Sequence, residues 1–109
     1  METGSIDKSN VQIEQLLNIF LNEPNKALKL FQRAYQLQPD DANTLYYWGV
    51  VLGLLNRFNE AIEKLNRAHQ LQPDDPRPLY VWGAILAELG QHDEAQKKFE
   101  RADELLMRK

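Results

Sequence analysis

The sequence predicts an all-α protein: three helix-turn-helix units stacked into a short solenoid. Two observations predict it. The chain repeats itself at an offset of 34, so that residues 35–68 and 69–102 share 17 of 34 positions, and a fixed period of this length is the mark of a helical array. Within each period apolar residues recur at the three-to-four spacing of an amphipathic helix, interrupted at the same places by Gly or Pro.

The repeat is carried by Leu37-Gln38-Pro39-Asp40-Asp41, which returns as Leu71-Gln72-Pro73-Asp74-Asp75, and by Leu45-Tyr46 with Trp48-Gly49, which returns as Leu79-Tyr80 with Trp82-Gly83. A diverged copy lies upstream, where Ala27, Phe31, Ala34 and Pro39 precede Ala61, Leu65, Ala68 and Pro73 by the same offset. The register divides the chain into units 8–41, 42–75 and 76–109 behind a tail at 1–7 to which no function is assigned.

Each unit reads as two helices. In the first, Ile13, Leu16, Leu17, Phe20 and Leu21 form one stripe, and Pro24 stands at the favoured first position of the next helix. In the second, a helix over about 42–55 follows Asp40-Asp41, whose carboxylates suit an N-cap and the positive end of a helix dipole. Its partner spans about 58–71, with Ala61, Ile62, Leu65 and Ala68 on one side and Pro73 beyond its end. The third repeats this, with Gly90 in the turn and Asp93-Glu94 opening the last helix.

A glycine inside a helix costs about 1 kcal/mol relative to alanine, so Gly49 and Gly83 call for a reason. Close approach of the second helix of each unit supplies one, with the small Ala61, Ala68, Ala95 and Ala102 accepting Trp48 and Trp82. Glu14 and Gln15 replace the Trp-Gly pair in the first unit, as in a terminal repeat with a water-facing side. At the other end Leu105-Leu106-Met107 leave an apolar terminus, expected either to continue in a longer protein or to be covered by another chain.

A unit of this length and pattern resembles the tetratricopeptide repeat over residues 8–109. The family's second-helix series of Ala, a large apolar residue, Ala and Pro appears as Ala61, Leu65, Ala68 and Pro73; its first-helix aromatic, Leu and Gly positions appear, with the aromatic and Leu exchanged, around Trp48-Gly49 and Trp82-Gly83. The resemblance implies a right-handed solenoid whose first helices line a concave groove. It places Asn43, Tyr46, Tyr47, Val50 and Leu54 there from the second unit, Arg77, Tyr80, Val81, Ala84 and Glu88 from the third, and Gln12, Ile13, Leu16 and Phe20 from the first. Members that grip a chaperone's C-terminal carboxylate use a clamp of Lys, Asn and Arg. Here the corresponding residues are Gln12, Leu16, Tyr47, Arg77 and Val81, and only Arg77 matches.

The expected function is therefore a non-catalytic interaction module that binds a protein or peptide through a neutral, aromatic groove. Self-association as a homo-oligomer is the alternative use of the same surface. A helical-repeat RNA binder is a further alternative and would need a basic groove, whereas the chain carries a net charge of −3 and 43% hydrophobic residues. No nucleic acid, membrane, metal or cofactor is expected. The uncharged run from Ala42 is shorter than the roughly 20 apolar residues of a spanning helix. Without cysteine there is no thiolate site, His69 and His92 lack partners at metal-binding spacing, and Ser5 and Ser9 lie near the terminus, so no catalytic residue is assigned. The default location is cytoplasmic.

Overall fold

A computed structural model of the chain describes residues 22–108, and every described regular element is helical. In order they are α1 (Pro24–Leu37), α2 (Ala42–Leu54), α3 (Phe58–Leu71), α4 (Arg77–Glu88) and α5 (His92–Met107). The stripe at 13–21, the 1–7 tail and the Glu14-Gln15 cap lie outside the described residues.

The starts are chemically distinct. Pro24 opens α1 with a fixed φ and no N–H to lose. Asp41 caps α2, its side chain accepting from the Asn43 N–H at 3.0 Å and the Thr44 hydroxyl at 3.2 Å. Asp75, one period later, accepts from the Arg77 N–H at 3.0 Å in the same way.

Turns within the units are tight because one residue enters the left-handed region. Asn56 has φ 61° and Gly90 φ 79°, one period apart, the two residue types that tolerate it best. In each turn the following N–H reaches back into the helix: Arg57 donates to the Leu52 carbonyl at 2.9 Å and Gln91 to the Leu86 carbonyl at 2.8 Å. The chain reverses, so α3 lies against α2 and α5 against α4.

Each helix packs on its successor, and α2 also touches α4. One core cluster joins Ala27 and Leu28 of α1, Val51 and Leu52 of α2, Ala61 and Leu65 of α3, and Ile85 of α4. A second gathers Leu79, Ala102 and Leu105. Trp82 packs against both. No charged or polar residue is buried among those described, so the fold is held by apolar burial, at about 25 cal/mol per Å².

The glycines lie where the helices of a unit cross. A Cβ at Gly49 would stand 2.7 Å from Leu65 Cγ, and one at Gly83 would stand 2.7 Å from Phe99 Cε1. Leu65 and Phe99 fill those places, while the tryptophans sit half-buried at the rim beneath lysines: Lys64 is 4.3 Å from the Trp48 ring and Lys98 4.0 Å from the Trp82 ring. Tyr35 of α1 meets Trp48 edge-on at 5.5 Å.

The apolar terminus expected at 105–107 is corrected for one of its residues. Leu105 is buried, because α5 carries it inward onto Leu79, whereas Leu106 and Met107 are exposed. Phe58, Ile62 and His69 of α3 are partly covered, and their counterparts one period on, His92, Gln96 and Asp103, are polar and exposed. The face that α3 packs against the core with Phe58 and Ile62 is thus polar and open on α5.

Candidate interaction groove

An amphipathic helix keeps one polar face for water, but α2 has no charged residue at all. α1, α3 and α4 all pack against it. Part of its surface still remains open, with Leu54 56% exposed. There α2 and α4 enclose a hollow of about 280 Å³ lined by Val50, Gly53, Leu54, Phe58, Val81, Ala84, Ile85 and Glu88. Its size suits one or two apolar side chains rather than a drug-sized molecule.

Five residues expected to face the groove meet in this hollow: Val50, Leu54, Val81, Ala84 and Glu88. Three more form its walls without having been read from the sequence. Gly53 brings the helices together, since a Cβ there would lie 3.3 Å from Ile85 Cδ1. The signal was present in a second helical glycine. Phe58 and Ile85 look like ordinary core positions until the crossing of α2 and α4 exposes their edges.

Asn43, Tyr46 and Arg77 meet in a polar cluster toward the N-terminal ends of α2 and α4. The Arg77 guanidinium donates to Asp75 at 2.9 Å and to Asn43 Oδ1 at 2.9 Å, and lies 4.7 Å from the centre of the Tyr46 ring. Asp75 holds the guanidinium charged, pushing its pKa up, while burial raises the Tyr46 phenol and Arg77 opposes that rise. Arg77 is therefore occupied within its own fold. Tyr47 packs on Tyr46 edge-on at 5.0 Å and stacks on Phe31 at 6.3 Å.

Tyr80 is not among the pocket walls. Its hydroxyl donates to Asp103 of α5, and its ring lies 6.4 Å from Phe99. Asp103 holds its phenol above the usual range. Gln12, Ile13, Leu16 and Phe20 lie outside the described residues. A larger hollow of about 430 Å³ follows the Gln72–Arg77 connection, beside an arginine already paired.

Mixed charge in and beside α3 and α5 is held in ion pairs, Arg57–Glu60 at 2.7 Å, Lys97–Glu94 at 3.3 Å and Arg101–Glu104 at 2.8 Å. Each is exposed and adds little stability. Among the described residues no cluster of three metal-ligating side chains occurs and no helix is long and apolar enough to cross a membrane.

Helix pairs stacked at a period of 34 define a helical-repeat protein. The family model described as anaphase-promoting complex, cyclosome, subunit 3 matches residues 22–102, and the chain belongs to this tetratricopeptide-type repeat family. A crystal structure of MamA is 27% identical with a TM-score of 0.78, covering 84% of this chain and 53% of MamA. A second MamA structure, MSR-1 in its C2 form, is 27% identical with a TM-score of 0.79, covering 91% and 57%. The chain thus spans little more than half the length of these relatives. The type III secretion translocator chaperone SycD of Yersinia enterocolitica, in its alternative dimer, shares the fold at 23% identity and a TM-score of 0.78, covering 88% of this chain and 76% of SycD. Among curated proteins none matches the sequence significantly.

Proposed function

We propose that this chain is a protein-interaction scaffold that holds a short apolar segment or partner helix in the groove between α2 and α4. One observation carries the reading: α2 is uncharged throughout, yet Leu54 is left exposed over an apolar hollow shared with α4. Leaving such a surface in water is unfavourable, and a complementary side chain removes it from water. The helix-in-groove mode of recognition uses this kind of site.

Phage display of a random peptide library tests it. Wild-type protein enriches peptides that bind in solution, and Leu54→Asp with Val81→Asp abolishes their binding while circular dichroism stays helical. Enrichment of none, or binding indifferent to both substitutions, refutes the groove.

A further inference from the structure

Among the described residues, the groove has one unanswered charge. α2 carries none, and α4 carries only Arg77 and Glu88. Arg77 is bound to Asp75, and Arg57, in the turn beside Phe58, is bound to Glu60 through two hydrogen bonds of 2.9 and 2.7 Å. Glu88 has no ion-pair partner among the described residues, and it stands at the edge of the hollow with Leu54 and Ala84. Its position is electrostatically poor for the fold. As the last residue of α4 it faces the negative end of the helix dipole, where a cation is preferred. One period earlier the same place is held by Leu54, so a carboxylate is not needed to build the unit.

Building on the groove reading, we infer that the occupant is a segment of a partner protein in which an aliphatic or aromatic side chain enters the hollow and a Lys or Arg beside it pairs with Glu88. The apolar walls supply contact area, and the carboxylate selects the sign of the flanking charge. An acidic segment meets Glu88 as a like charge and finds Arg77 already neutralised. Pairing at the rim of a groove acts on specificity and association rate more than on affinity. The interaction therefore weakens as salt is raised.

Peptides selected on the wild-type protein, and a parallel selection on Glu88→Lys, test the assignment. Wild-type peptides carry Lys or Arg close to an apolar residue, and Glu88→Lys weakens them by about tenfold, with a thermal midpoint that does not fall, because Glu88 is exposed and a cation suits the C-terminal end of α4. The Glu88→Lys selection yields acidic residues at that place. Peptides that are lost with Leu54→Asp but bind Glu88→Lys as tightly as wild type overturn the charge assignment and leave the groove standing. Peptides untouched by Leu54→Asp, or a failed selection, overturn both. Sedimentation of the chain alone gives a second check: an oligomer dissolved by Leu54→Asp puts a second copy in the groove and removes the partner segment.

Discussion

Gly83 of α4 and Phe99 of α5 are packed so closely that a Cβ on Gly83 would lie 2.7 Å from Phe99 Cε1 and 2.9 Å from Cδ1. Gly83→Ala therefore forces a ring against its neighbours. Overpacking of this kind costs about 1–3 kcal/mol, more than the roughly 1 kcal/mol that alanine gains in helix propensity. The expected result is a lower thermal midpoint. Phe99→Ala removes the clash, so a double-mutant cycle should show a coupling on the order of 0.5–3 kcal/mol. Additive effects would place the strain elsewhere.

Asp41 caps α2 through the Asn43 N–H at 3.0 Å. Asp41→Ala should cost about 1 kcal/mol and Asp41→Asn close to nothing, because asparagine is an equally good cap. Urea unfolding of both variants checks this, and equal loss in the two would assign Asp41 another role.

His69 Nδ1 is buried without a hydrogen-bond partner, and burial, then Lys98 and Arg101, lower its pKa. The unfolded imidazole, with a pKa near 6.5, then binds more protons than the folded one. Stability from this residue is complete above pH ~6.5 and is lost as pH falls below that value. The urea midpoint should drop between about pH 7 and pH 5, and His69→Asn should flatten the slope. A slope unchanged by the substitution would remove His69 as its source.

Leu65 is fully buried beneath Gly49, whereas Leu54 is 56% exposed. Leu65→Ala should lose about 2–5 kcal/mol to transfer and cavity terms. Leu54→Ala should stay within about 0.5 kcal/mol, while peptide binding in the groove is weakened. Chemical denaturation beside a binding titration separates the two, and comparable destabilisation would make Leu54 a core residue.

Much of the fold was legible in the chain because its determinants are local. The period of 34, the capping Asp41 and the opening Pro24 are each visible within a few residues of where they act. The tight packing at Gly49 and Gly83 has a sequence signal too, since a glycine inside an apolar helix stands out against its propensity. Asn56 gave less warning than Gly90, although both adopt positive φ, because asparagine is common outside such turns.

The groove was less legible. An uncharged helix such as α2 signals burial without saying on which sides, and three neighbours had to be placed before Leu54 was seen to be open and Leu52 closed. Arg77 reads as a cation in sequence, but Asp75 and Asn43 occupy it, and no local signal announces that Asp103 of α5 is brought to the Tyr80 hydroxyl. Periodicity reports how a segment coils, a property of adjacent residues. Exposure and free charge depend on which distant side chains arrive beside them, and packing alone settles that.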